Sequence, residues 1–508
     1  MSNYRFIKSS HFFSLLFAFC ILFSSSSLFG QSKNWVGTWA CAVYPLGSNN
    51  TTFPPAVANN SVRQIVRVSI GGDSLRIRFS NKTATTTTTI KSVSIAVSKT
   101  GTTSVINTST VKQLKFNGDT TVTMAAGGLV TSDAVAFHLT PSMRLAITIH
   151  YGAVNTDANM AAHVAARGPA WELAGNHTHT SAIDSLFTGS TSFTNWLNIS
   201  NIDVLADTAH THAVACIGNS ITDGRNMTGG LQNRWPDMFS VNMLKYPSTA
   251  NVGVLNLGIG GTNVSGSGTA GAARYAQDVL SQSGLKWVII FYGVNDINGG
   301  ATASAITTTY QSMISQAHAK NLKVYGGTIT PFGGNSYFST AHEGVRNAVN
   351  KWIRTKGNFD GFIDFDHAVR NPADSTKILA AYNDDGLHLS AAGYKVMGEC
   401  IPLSLFADPT ISELNSIGAN IDYDLIQNSP NPFSNKTTIE FKIPNETYVS
   451  LQVYNMLGAK VIELAGKKYP SGKNTVEFDA KNLQNGIYIC TMKADNYSTS
   501  RKMILLGK

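Results

Sequence analysis

Residues 213–224 read Ala-Val-Ala-Cys-Ile-Gly-Asn-Ser-Ile-Thr-Asp-Gly, five apolar residues running into a turn that holds a serine between two glycines. An apolar run this short, closed by glycine and polar residues, predicts a strand buried on both faces. Similar runs recur at 252–256, 287–292, 322–328 and 362–365. Between them Ile306, Tyr310, Met313, Ile314 and Ala317 repeat at helical spacing, as do Val345, Val349, Trp352 and Ile353. The alternation predicts an α/β fold, a parallel sheet with helices on both faces. Such sheets collect their functional groups in the loops beyond the carboxyl ends of the strands.

Four loops then stand out. Gly218-Asn219-Ser220-Ile221-Thr222-Asp223-Gly224 lifts a serine hydroxyl out of a strand end with backbone N–H groups nearby, which suits a nucleophile in acyl transfer. The plainer reading of that serine is a helix cap. Its setting differs from the G-x-S-x-G elbow, because Asn219 directly precedes the serine and the flanking glycines, Gly218 and Gly224, are placed differently. Gly258-Ile259-Gly260-Gly261 is a tight backbone able to aim an N–H, and Gly293-Val294-Asn295-Asp296 offers an amide donor. In Asp384-Asp385-Gly386-Leu387-His388-Leu389-Ser390, Asp385 stands three residues before His388, close enough in a turn to orient the imidazole.

The blocks GNSITDG, NLGIGG, GVND and DGLH, in this order, resemble the four signature blocks of the SGNH hydrolases, also called the GDSL lipase and esterase superfamily. The likeness spans about residues 208–405. RWPDMF, WVIIFYGVNDI, LKVYGGTITPF, GFIDFDHAVRNPAD and, earlier, GTWA and VRQIVRVSIGGDSLRIRFSN resemble one secreted bacterial subfamily with a β-rich domain ahead of the hydrolase. The resemblance implies a flavodoxin-like sheet, Ser220 as nucleophile, His388 as general base and Asp385 as its partner. It also implies an oxyanion hole made by the Ser220 N–H, Gly261 and Asn295. Two positions depart from the family pattern: Asn219 and Thr262 each stand where an aspartate is usual. Neither is a triad member, so the departures bear on substrate preference. The limb of rate that rises with pH is expected near neutrality, where imidazole loses its proton.

Other polar residues receive plainer readings. Asp384 is expected to be solvated, and His318 and His367 to be surface or structural residues. His177-x-His179 and His210-x-His212 have no accompanying cysteine or carboxylate cluster. The expectation is that the protein uses neither a metal nor another cofactor.

The remainder of the chain sets the organisation. Its 508 residues suggest about three domains. Charged residues make up 14% and hydrophobic ones 43%, which excludes wholesale disorder. The formal charge is +9, but Arg5 and Lys8 lie near the start, and residues 424–508 hold eleven basic against seven acidic groups. What remains between is no footprint for a nucleic acid. The apolar run at 12–23, preceded by Arg5 and Lys8 and followed by four serines, reads as a secretory signal peptide over 1–31. Bulky Phe19 before Cys20 argues against a lipid anchor, and the mature protein is expected to lack a transmembrane anchor. Cys41, Cys216, Cys400 and Cys490 are read as isolated, mostly buried thiols.

Residues 32–207 alternate apolar and polar residues and are assigned to a β-sandwich-like domain. Within it 66–70 and 75–79, joined by Gly71-Gly72-Asp73, read as a hairpin. Its aromatic residues Trp35, Trp39, Tyr44 and Tyr151 are scattered, which favours a site-shaping role over sugar binding. The hydrolase domain is placed at 208–408, a linker at 409–423 and a small β-sandwich tail at 424–508. In the tail, strand-like segments occur at 438–443, 449–454, 475–478 and 486–488, with a turn at 457–458. NSPNPF, VYNMLGAKV, LQNGIY and the terminal KMILL resemble the C-terminal sorting domain of the type IX secretion system. That resemblance implies the type IX machinery as a partner and export through the periplasm to the medium or the cell surface. The expected function is a secreted serine esterase acting through an acyl-enzyme. Acylated polysaccharide is the first choice of substrate and a short-chain lipid or other small ester the second. A non-catalytic surface binding protein is the contrasting class.

Overall fold

The computed structural model describes residues 33–47, 57–154, 157–164, 166–182, 191–207, 210–227, 229–407, 424–443, 446–456, 459–494 and 497–506. The expected signal peptide, linker and 457–458 turn lie outside the described residues.

Five parallel strands form the middle of the chain: β1 (His212–Gly218), β2 (Val252–Gly258), β3 (Leu285–Phe291), β4 (Lys323–Gly327) and β5 (Gly361–Ile363). Their spatial order is β2-β1-β3-β4-β5. This is the flavodoxin-like order, whose direction of winding reverses beside β1. From Ala213 onward every residue of β1 is buried, as its uninterrupted apolar run requires. The longer helices are α1 (Trp235–Met243), α2 (Ala303–His318), α3 (Thr340–Arg354) and α4 (Ala391–Glu399). Ile306, Tyr310, Met313, Ile314 and Ala317 are the buried residues of α2, so the helical stripe read from the sequence is its core face. Helix starts are set by side-chain caps: Thr302 accepts from Ala305 N–H, Ser339 from His342 N–H and Ser390 from Gly393 N–H. Helix α1 packs with α4 and α2 with α3. Right-handed crossovers in opposite directions along the sheet put these pairs on opposite faces.

Ahead of this sheet lie antiparallel sheets of five and seven strands and a smaller one of three. The expected hairpin at 66–79 does not form. Asn60–Arg67 pairs with Arg144–Tyr151 and Ala170–Ala174 in the larger sheet, whereas Gly72–Ser80 pairs with Ile199–Asp207 in the other. Val68 and Ile70 are both buried where the chain passes between the sheets. Their alternation therefore reflects a core on the crossing segment instead of one face of a hairpin. Three of the four aromatic residues singled out are occupied internally: Trp39 packs edge-on against Trp196 at 5.0 Å, Tyr44 donates to Val164 O, and Tyr151 is fully buried. Trp35 carries the Arg76 guanidinium over its ring.

The β-rich part and the parallel sheet share one hydrophobic core. The strand Lys33–Ala40 lies against β2, where Gly37 N–H donates to Ser283 O at 2.9 Å and Val254 N–H donates to Ser69 Oγ at 2.9 Å. Lys82 reaches across to Asp278 at 2.9 Å. A protein beginning at residue 210 would expose this apolar face of β2, so it should be insoluble or nearly inactive on small esters, measured by soluble yield and aryl acetate hydrolysis. Full activity of that fragment would show that the β-domain is an independent module.

The tail forms two antiparallel sheets with their own core, including Phe433, Phe441, Leu451 and Met503. Two of its strands, Lys460–Tyr469 and Tyr497–Leu505, were not legible as strands. The first is largely exposed, so it shows no clean apolar alternation. Cys41, Cys216 and Cys490 are buried, Cys400 is half-buried, and all four are unpaired.

Candidate active site

Ser220 opens a four-residue helical turn, Ser220–Asp223, directly after β1. The cap of that turn is Asn219, whose side chain accepts from Ile221 N–H at 3.0 Å. The departure from aspartate at 219 thus keeps a capping acceptor. The serine is spared the capping role that a plain reading gave it. Its Oγ lies 2.9 Å from His388 Nε2, with both residues almost buried. On the other side of the ring, His388 Nδ1 lies 2.7 Å from Asp385 Oδ2. The other carboxylate oxygen, Oδ1, accepts from the N–H of Leu387 at 3.0 Å and of His388 at 2.7 Å. The Asp-x-x-His spacing therefore folds into a turn in which one carboxylate closes the backbone and orients the ring. This loop follows a short hairpin (Arg370–Asn371 with Asp374–Ile378) instead of a strand of the main sheet, and it leads into α4.

The electrostatics follow the geometry. Burial would raise the Asp385 carboxyl, but the hydrogen bonds from the His388 backbone and ring and from Leu387 outweigh it and hold it at about 2. Burial lowers His388 below its ordinary value against the pull of Asp385. At neutral pH the ring is then neutral, with its hydrogen on Nδ1 facing the carboxylate and its Nε2 lone pair facing the serine hydroxyl. The rising limb of kcat/KM should fall below the ordinary histidine value of 6.5, lower than the near-neutral position expected for an unperturbed imidazole. A profile measured from pH 4.5 to 9 should be flat between 7 and 8, and a midpoint above 7 would contradict this reading.

Beyond β2, Gly261 adopts φ +74°, a conformation that strains any other residue, and it is exposed beside the serine loop. A Cβ on Gly258 would sit 2.3 Å from Asp223 N, so only glycine lets β2 end against the turn that carries Ser220. Asn295 donates through Nδ2 to Thr262 O at 2.9 Å, leaving its second amide hydrogen for another acceptor. Thr262, the other departure from the family pattern, donates its hydroxyl to Ile259 O at 2.8 Å and so closes its own turn.

Three groups of this region were not found from the sequence. Asp296 is buried and accepts from the N–H of Val264 and Ser265, tying the loop after β3 to the loop after β2. Burial raises its carboxyl above the ordinary value despite these bonds. Its position beside Asn295 at a strand end was the available signal. Asp223 and His163 form the other pair, treated below. Asp384 is exposed and its carboxylate accepts from Asn226 Nδ2, while the ring of His388 is bonded to Asp385; the charge of Asp384 still reaches the imidazole. His318 pairs with Asp360 at 2.8 Å, His367 accepts from Arg370, and His177 contacts Thr180 and Ala174. Among the described residues no group of three His, Cys, Asp or Glu side chains is placed to hold a metal ion.

Residues 216–396 match the model of the GDSL-like lipase/acylhydrolase family. The parallel-sheet domain belongs to this family. It is therefore a serine ester hydrolase domain. Residues 429–506 match the secretion system C-terminal sorting domain, which marks the protein as secreted or displayed at the cell surface. No helix among the described residues is long and apolar enough to cross a membrane. Similar solved structures include a GDSL-like lipase from Bacteroides thetaiotaomicron, 19% identical, covering 38% of this chain and 87% of that one at a TM-score of 0.30. Another is an acetylxylan esterase from Geobacillus stearothermophilus, 22% identical, covering 37% of this chain and 91% of that one at a TM-score of 0.30. No curated protein matches the chain.

Proposed function

We propose that the GDSL-like domain hydrolyses carboxylic esters through an acyl-enzyme on Ser220, and that its substrate is acetylated polysaccharide outside the cell. The observation that carries the first part is the continuous hydrogen-bonded line from Ser220 Oγ through His388 to Asp385, at 2.9 and 2.7 Å. His388 Nε2 takes the serine proton as Oγ attacks the ester carbon. The tetrahedral oxyanion is held by the N–H groups of Ser220 and Gly261 and by the Asn295 amide. Its collapse expels the alcohol, which receives the proton from His388. Water then repeats the sequence on the acyl-serine and releases the acid.

The polysaccharide reading is supported by two features. The sorting domain sends the enzyme to where polymers are met. Small and polar residues are exposed beside the triad: Gly260 next to the Ser220 side chain, Asn226 bonded to Asp384, and Arg225 in the field of His388. Such a rim suits an acetyl group projecting from a hydrated chain more than a long acyl tail. The test compares acetate release from acetylated xylan and pectin with hydrolysis of aryl esters of increasing chain length. Acetate release and a steep decline beyond four carbons are expected. A preference for acyl chains of eight or more carbons would replace the polysaccharide by a lipid substrate. The tail has a separate core, so an enzyme ending at residue 408 should keep its activity and lose export.

A further inference from the structure

Asp223 closes the turn that Ser220 opens, and its partner comes from the β-rich domain. His163, at the end of the strand Ala161–His163, places Nε2 2.9 Å from Asp223 Oδ1 with the two side chains 2% and 5% exposed. The other ring nitrogen, Nδ1, lies 2.7 Å from the Ala42 carbonyl. A carbonyl oxygen only accepts, so Nδ1 carries a hydrogen. Nε2 and Oδ1 at hydrogen-bond distance need one more hydrogen between them. The pair thus holds a bridging proton and has no net charge. The ring is fixed edge-on to Tyr44 at 5.5 Å and tilted against Trp196 at 5.7 Å.

The surroundings of Asp223 give this pair a consequence. A Cβ on Gly260 would lie 3.6 Å from Asp223 Oδ2 and 3.9 Å from Ser220 Cβ. The carboxylate therefore lies beside Gly260, next to the side chain of Ser220, on the loop that leads into Gly261. Arg234 also lies in the field of Asp223, but its Nε and Nη2 are bonded to Asp237. An unneutralised, buried carboxylate at this place would oppose the oxyanion, because little solvent screens it.

We infer that His163 is a positioning residue of the esterase, supplied by the β-rich domain, which neutralises Asp223 and fixes the turn carrying Ser220. The inference rests on Ser220 being the nucleophile. It makes the β-domain a contributor to turnover through one named side chain, in addition to the apolar surface it covers.

The test uses the full-length enzyme and p-nitrophenyl acetate at pH 8. His163→Gln keeps an amide donor of similar reach but leaves Asp223 anionic, and His163→Gln/Asp223→Asn removes the anion as well. The single variant should lose about tenfold or more in kcat with KM within about twofold of wild type. The double variant should return to within about threefold of wild type, since the opposing charge is gone. Asp223→Asn alone, whose amide can donate to a neutral His163, should also stay within about threefold. A His163→Gln enzyme within twofold of wild type, or a double variant no faster than the single one, would overturn the inference. If thermal melts show His163→Gln to be unfolded, Asp223→Asn decides, and a tenfold loss there overturns it. Fluorophosphonate labelling of wild-type Ser220 separates the two claims: no labelling defeats the esterase reading, whereas labelling without rescue defeats only the role of His163.

Discussion

Ser220→Ala should reduce kcat/KM on aryl acetates by about 10⁴-fold or more while the thermal melt stays within a few degrees of wild type. The expectation follows from the site's geometry. The hydroxyl accounts for the contact with His388 Nε2, and its loss leaves no other oxygen at that place to attack the ester. His388→Ala should fall to a similar level, because a serine without a base is a weak nucleophile. Combining the two changes should cost little beyond either alone, as groups that act as a unit are not additive. Parallel measurement of kcat/KM for the three variants checks this, and a sum of the two single effects would show that Ser220 and His388 act separately.

Asp385→Asn should be almost as damaging, by about 10³- to 10⁴-fold in kcat, without loss of the fold. Asp385 Oδ1 takes the backbone N–H groups of Leu387 and His388, and an asparagine oxygen can do the same. Its NH₂ group then necessarily faces His388 Nδ1 where Oδ2 stood. A donor there forces the ring hydrogen onto Nε2, which can no longer accept the serine proton. Asp384→Asn should remain within a few-fold of wild type, because that carboxylate faces Asn226. The opposite ranking of the two variants would mean that the turn presents the other carboxylate to the ring. The low value of Asp385 also has a sign in stability. The charged form is favoured by the fold, so its contribution is present above the unfolded value near 4 and is lost as pH falls toward about 2.

What could be read locally was read from the residues that carry it. Strands β1, β2 and β3 of the parallel sheet are short apolar runs, and the loops after them announce themselves by glycine, whereas β5 exposes Phe362 and passes through Asp364 into a helix at Phe365. Structures that depend on residues far apart were harder. The 66–79 alternation is the same whether two strands pair with each other or pass into different sheets, and only the partners at 144–151 and 199–207 decide. The edge strand Lys460–Tyr469 shows too little burial to leave a pattern. Asn219 looked like a departure from a family aspartate, yet its amide oxygen caps the turn as a carboxylate would. The His163–Asp223 pair joins residues 60 apart in sequence and from two folding units, so no spacing rule points to it.

The most direct measurement is the site of covalent capture. Full-length enzyme treated with a fluorophosphonate, digested and mapped by mass spectrometry should carry one phosphonyl adduct, on Ser220, formed in parallel with loss of esterase activity. The adduct should be absent from Ser220→Ala and slowed severely in His388→Ala. Stoichiometric inactivation with the adduct on a different residue, or no adduct in folded enzyme that hydrolyses esters, would contradict the account.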